Sequence, residues 1–133
     1  MAKLNDRQQE FLDNPYVGVL TTIRSDGSPH STPVWVGHRD GNLIFNTALG
    51  RAKANNLEKN PKASMLVLDP GNAYKWVAVN GSVSFVKDGA DDDINAFSKK
   101  YLGQDEYPFR QPGEERVTVV VNADRVETSG FEG

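Results

Sequence analysis

The sequence predicts a small, mainly β domain in which antiparallel strands curl into a barrel beside a few short helices. Three observations carry this. Six stretches rich in β-branched and apolar residues recur at 16–24, 28–38, 43–47, 62–69, 74–86 and 116–126. Tight-turn signatures, Ser25-Asp26-Gly27, Arg39-Asp40-Gly41-Asn42 and Pro70-Gly71-Asn72, join consecutive stretches, and hairpins impose antiparallel pairing. Only three short stretches read as helix, and six strands with so little helix favour a small barrel over an open sheet.

Each element has its own signal. Asn5 with Gln8 three residues on has the form of a capping box, so a helix is expected over 5–13, ending before Asn14-Pro15 and burying Phe11 and Leu12. YVGVLTTIR is the first strand. The second, SPHSTPVWVGH, alternates His30, Thr32, Val34 and Val36 with Ser31, Pro33, Trp35 and Gly37. Its two prolines each remove a ladder donor, which marks an edge, a bulge or a ligand-facing rim. LIFNT follows as the third strand. A helix over 51–59 then points Ala52 and Leu57 inward and stops at Asn60-Pro61. KASMLVLD and YKWVAVNGSVSFV are the fourth and fifth strands, and Gly81 inside the latter marks a bulge or a barrel corner. Asp91, Asp92 and Asp93 supply the N-cap and first-turn acids of a helix carrying Ile94, Phe97 and Tyr101 on one stripe. Residues 104–115 form an irregular loop, RVTVVVNADRV is the last strand, and the tail TSGFEG is expected to be loose.

Composition narrows the function. With 133 residues, 38% hydrophobic and 25% charged, one globular domain with one core is expected over 1–133. A net charge of −3 leaves no global basic field for nucleic acid, so any anion site must be local. The absence of cysteine excludes disulfides, thiolate metal sites and a cysteine nucleophile, and fits a reducing compartment. No apolar run reaches the roughly 18 residues of a membrane helix, and MAKLNDRQQEF is too polar for a signal peptide. A cytoplasmic protein without membrane or nucleic-acid partners is expected.

One local feature stands out. Arg51 and Lys53 fall in the first turn of the 51–59 helix, where the helix dipole already carries about half a positive charge. Cations there are unfavourable unless an anion is meant to join them, and the free N–H groups of the same turn help to hold one. Arg51 offers a two-donor fork and Lys53 a point charge. The alternative is a solvated surface pair, with Arg51 bridging to Glu58. His30 and His38 lack a recognisable carboxylate partner and read as surface or packing residues, and no metal-ligand spacing, nucleophile elbow or P-loop is present.

The ordered set GVLTTIRSDGSPHSTPVWV, IFNTALGRAKANNLEKNPKASMLV and YKWVAVNGSVSF resembles the pyridoxamine 5′-phosphate oxidase-like split-barrel superfamily over roughly residues 10–126. Within it, the sequence looks like the small actinobacterial-type oxidoreductases that bind the deazaflavin coenzyme F420. The resemblance implies a six-stranded antiparallel split β-barrel of the FMN-binding split-barrel type, forming a homodimer with cofactor at the subunit interface. By position, Arg51 and Lys53 match the family's phosphate-binding basic pair. Thr47 matches a strand-end hydroxyl beside ring or phosphate, with Asn46 next to it in the same motif. Pro33, Val34 and Trp35 match the strand whose backbone lies against the ring, and Trp76 falls on the interface strand near the other subunit's site. Read without the resemblance, Thr47 is equally an ordinary strand threonine, and Trp35 and Trp76 are equally core aromatics.

The departures guide the choice of cofactor. The chain is short and lacks the additional basic and histidine residues of pyridoxine-phosphate enzymes, and it has Gly50 where FMN binders often have Ser or Thr. The implied function is an F420H2-dependent reductase that delivers hydride to a small conjugated organic acceptor. FMN as cofactor, and a non-catalytic F420 carrier, are the alternatives. No catalytic side chain is identified, which suits chemistry carried by a cofactor.

Overall fold

The computed structural model describes residues 2–131 and contains α1 (Asp6–Leu12), β1 (Gly18–Ile23), β2 (Pro29–Val34), β3 (Gly37–Arg39), β4 (Asn42–Ala48), α2 (Ala52–Lys59), β5 (Lys62–Asp69), β6 (Asn72–Val86), α3 (Ala90–Leu102) and β7 (Arg116–Ser129). The strands form one antiparallel sheet in the order β2-β1-β5-β6-β7-β4-β3. This corrects the expected six strands to seven. The stretch 28–38 breaks at Trp35-Val36 because its two halves pair with different partners, β2 with β1 and β3 with β4.

That break dictates the curvature. In a flat sheet, six inter-strand steps would hold β2 and β3 about 29 Å apart. Only Trp35 and Val36 separate Val34 from Gly37, and three Cα steps span at most about 11 Å. The sheet must therefore roll until its two edges nearly meet, leaving an unpaired seam in an otherwise barrel-like wall. The two prolines of β2 fit this: the strand is an edge, hydrogen-bonded on one side only.

Alternate residues of the strands fill the interior. Leu20, Met65, Val67, Val77, Val79, Val117, Val119, Leu43 and Phe45 are almost wholly buried, joined by Phe11 and Leu12 from α1 and Leu57 from α2. β7 is buried on consecutive residues from Arg116 to Val119, because α3 covers its outer face while the barrel covers the inner one. A second small cluster, Ile44, Ile94 and Phe97, packs between β4 and α3. The stripe expected for α3 is thus its buried face.

Local signals resolve in detail. The capping box of α1 is present, with Asn5 accepting from the Gln8 N–H and the Gln8 side chain accepting from the Asn5 N–H. Gly81 lies at a register shift between β6 and β7, where a Cβ would stand 2.0 Å from the Asn122 carbonyl oxygen. Four expectations are corrected. The N-cap of α3 is Gly89, so all three aspartates lie inside the first turn. The N-cap of α2 is Arg51, which leaves Ala52 exposed and rotates Ala54 inward beside Leu57. The tail is not loose through Phe131: β7 runs on to Ser129, and the Phe131 ring packs against Phe11 at 5.3 Å, while Glu132 and Gly133 lie outside the described residues. His38 does have a carboxylate partner, Asp13, at 2.7 Å.

Candidate functional site

A cavity of about 300 Å³ opens between β2, the start of α2 and the loop after α3. Its lining includes Pro33, Val34, Trp35, Asn46, Arg51 and Lys53, six of the eight residues singled out in the sequence. The structure thus gathers the proline-bearing strand and the basic helix start, which are 16 residues or more apart in the chain, around one space.

The other two lie elsewhere. Thr47 follows Asn46 on β4, so it faces the barrel interior, where it is 1% exposed and its hydroxyl has no partner among the described residues. Strand alternation thus keeps Thr47, expected as a hydroxyl beside ring or phosphate, out of the cavity lining. Trp76 is half-buried on the outward face of β6, level with Leu68 and Ser129.

One end of the cavity is cationic. Arg51, Lys53 and Arg116 converge on it. Arg116 is a residue that sequence reading passed over, because it opens a strand with no motif around it. Its side chain is 2% exposed and held on several sides. Nε donates to Asn46 Oδ1 at 2.8 Å, Nη1 donates to Glu114 Oε1 at 2.9 Å, and the guanidinium lies 5.1 Å from the Tyr107 ring centroid. Asn46 in turn donates to the Ala90 carbonyl and the Thr118 hydroxyl. Arg51, nearly half exposed, donates to the other oxygen of Glu114 at 3.2 Å. Its partner is therefore Glu114, not Glu58.

Lys53 differs from both arginines. Among the described residues its ammonium has no hydrogen bond and no ion pair. Burial pushes its pKa down, and the charges of Arg51 and Arg116 push it the same way. A half-buried, unpartnered ammonium beside two guanidiniums, with one carboxylate among them, is a cluster short of negative charge. α2 adds to this, since the N-cap Arg51 supplies no side-chain acceptor for the first turn.

The other end is aromatic. Trp35, Phe97, Tyr107 and Phe109 line it together with Ile94 and Val17. Tyr107 and Phe109 come from the irregular loop, which gave no legible signal in sequence. Trp35 and Tyr107 meet edge to face with centroids 6.0 Å apart, and Tyr107 and Phe109 do so at 5.8 Å. The loop is fixed by the Tyr107 N–H donating to Asn95 and by Arg110 paired with Asp91. Asp93 accepts from Arg39 and Thr118; burial raises its pKa, but these bonds outweigh burial and leave it lowered. Two of the three first-turn acids thus brace the site. A slot with a cationic end, aromatic walls and an edge strand along one side is suited to a flat ring bearing a phosphate.

Comparisons with known proteins bear on the family and the fold. A sequence profile of the family described as pyridoxamine 5′-phosphate oxidase matches residues 4–130. A solved F420 reductase is 29% identical and superposes with a TM-score of 0.77, covering 90% of this chain and 94% of its own. A conserved hypothetical protein from Mycobacterium tuberculosis, Rv2991, is 24% identical with a TM-score of 0.74 over 95% of this chain and 84% of its own. General Stress Protein 26 from Bacillus anthracis str. Sterne, also 24% identical, superposes with a TM-score of 0.68 over 90% and 88%. The last two share the fold.

Proposed function

The chain belongs to the pyridoxamine 5′-phosphate oxidase family, and from that premise we propose that it is an F420-dependent oxidoreductase that reduces a small conjugated acceptor. The observation that carries the reading is the slot itself, with unpartnered Lys53 beside Arg51 and Arg116 at one end and Trp35, Tyr107 and Phe109 at the other. The 29% identical F420 reductase supports the choice of cofactor.

The residues fit the group by charge and shape. Lys53 and Arg51 hold the phosphate, the first as a point charge and the second as a fork. Asn46 and Glu114 hold Arg116 in place behind them. Pro33 and Val34 lie on an edge strand, whose unpaired backbone groups would be open to the ring. Trp35, Tyr107 and Phe109 exclude water from its faces. When bound, the reduced deazaflavin supplies the hydride, and the protein supplies binding, orientation and a dry pocket.

Gly50 bears on the choice between cofactors. Its φ is +92°, a left-handed conformation, so the Ser or Thr common in FMN binders would stand at this turn only with backbone strain. The second reading, an FMN-binding member of the family, is kept by the three cations, which suit the phosphate of either ring.

The reading includes a homodimer. Val19, Leu66 and Leu68 are exposed on the outward face of β1 and β5, next to half-buried Trp76 on β6. A second copy over this face would bury them and bring Trp76 toward the partner's slot. Light scattering giving a monomer at micromolar concentration would reject that part.

The test of the whole is a side-by-side titration with F420 and FMN, followed by turnover with quinones, enones and tetrapyrroles. Tighter binding of F420 with turnover is expected. A protein purified yellow with FMN would move the assignment to the second reading, and tight F420 binding without turnover would make it a carrier.

A further inference from the structure

Glu114 bridges two of the three cations of the cavity. Its side chain is 4% exposed, and each carboxylate oxygen accepts from a different arginine: Oε1 from Arg116 at 2.9 Å and Oε2 from Arg51 at 3.2 Å. The two arms are unequal. Arg116 is buried and has Asn46 and Tyr107 as further partners, so withdrawing Glu114 from it would leave a dry, uncompensated charge. Arg51 is 43% exposed, and Glu114 is its side chain's one partner among the described residues. The Arg51 end of the bridge reaches solvent and its bond is the longer of the two, so this is the arm open to exchange with a stronger anion.

We infer that Glu114 is a built-in competitor for Arg51 and sets the selectivity of the slot: a phosphate-bearing ligand enters by taking Arg51 from Glu114, whose other oxygen stays on Arg116. This rests on the proposed reading of the slot as a phosphate site. After the exchange the freed oxygen of Glu114 lies beside the incoming anion and repels it. Singly charged anions gain little over the carboxylate they replace, so the slot passes over them. A phosphate with further anchoring along the aromatic walls overcomes the competitor. Glu114 also lies on the same loop as Tyr107 and Phe109, so the residue that gives up Arg51 is in the segment that forms the ring end.

The test is Glu114→Gln, which keeps size and removes charge. Titrated with F420, FMN and inorganic pyrophosphate, the variant is expected to bind roughly tenfold more tightly than wild type. The gain is expected to shrink when Arg51→Ala is present in both proteins, to what relief of repulsion alone contributes, whereas a general loosening of the pocket would leave it whole. Unchanged or weaker binding by E114Q overturns the inference. Should the variant not fold, a crystal structure of the wild-type complex decides: Arg51 on the phosphate and more than about 4 Å from Glu114 is expected, and an intact bridge overturns it. Wild-type protein that binds neither F420 nor FMN would remove the cofactor reading and this inference together. Wild-type binding with no gain in E114Q removes the role of Glu114 alone.

Discussion

The indole of Trp35 lies flat on the ring of Tyr101, with centroids 5.3 Å apart and planes 8° from parallel. Tyr101 also accepts from the Val36 N–H at 3.0 Å and donates to the Tyr16 carbonyl at 2.6 Å. One side chain of α3 therefore holds both residues of the link between β2 and β3. Tyr101→Phe keeps the stack and deletes both hydrogen bonds, leaving the Val36 N–H without its acceptor. A loss of about 1–3 kcal/mol in urea unfolding is expected, together with weaker cofactor binding. Stability equal to wild type would show that the link holds itself.

Lys53→Ala removes the cavity cation that has no hydrogen-bond or ion-pair partner among the described residues. Its loss relieves a desolvated charge, so fold stability should be unchanged or slightly raised. Cofactor binding should weaken by roughly 1.5–3 kcal/mol, the scale of a charge-assisted bond. This opposition of stability and affinity is the signature of a ligand-facing lysine, and a thermal melt paired with a fluorescence titration reads both. Unchanged affinity would take Lys53 out of the site.

Gly81→Ala puts a methyl group 2.0 Å from a backbone oxygen at the β6–β7 bulge, where no side-chain movement relieves the contact. A loss on the order of 2–4 kcal/mol is expected from the strain and backbone shift. A melting temperature within a degree or two of wild type would mean that the bulge relocates freely.

Lys100 donates to the carbonyls of Leu12 and Val36, joining α1, the link and α3. Burial pushes its pKa down to about 8, partly offset by the charge of Asp13. The native pKa thus lies below the unfolded lysine value of about 10.4. Between the two the unfolded chain holds more protons, so this residue makes stability rise with pH through that window. The neutral amine still has two hydrogens for its two carbonyls. The Tyr101 pKa is raised by burial, and its opposing contribution begins only near pH 10. From about pH 7.5 to 9.5 the wild type should gain melting temperature relative to Lys100→Met. Parallel curves would show that the ammonium is not desolvated.

What the sequence made legible was local. The capping box of Asn5 and Gln8, the hairpin at Asp40-Gly41 and the bulge at Gly81 are encoded in a few adjacent residues, and each is in the structure. Arg51 and Lys53 were found because two cations at a helix start contradict the dipole. The illegible part depends on contacts far apart in the chain. Arg116 and Glu114 lie more than 60 residues from Arg51, and nothing in RVTVVV marks its arginine as part of a charge cluster. Thr47 and Asn46 are both polar residues at a strand end, and only the pairing register decides which one faces the slot. The division of 28–38 into two strands was hidden for the same reason: its alternation is unbroken, and the break follows from what each half pairs with.

The unpaired seam between β2 and β3 has a mechanical consequence. The two edges share no ladder, so no strand pairing fixes the Trp35-Val36 link that joins them. Its stiffness comes from α3, through Lys100 and Tyr101, and the loop after α3 carries Tyr107 and Phe109. The cationic residues are set on α2 and β7 instead. The two ends of the cavity therefore share one brace: Glu114 of the loop after α3 bonds Arg51 and Arg116, and Ala90 of α3 accepts from Asn46, so the helix and loop that place the aromatic side also hold the cations of α2 and β7.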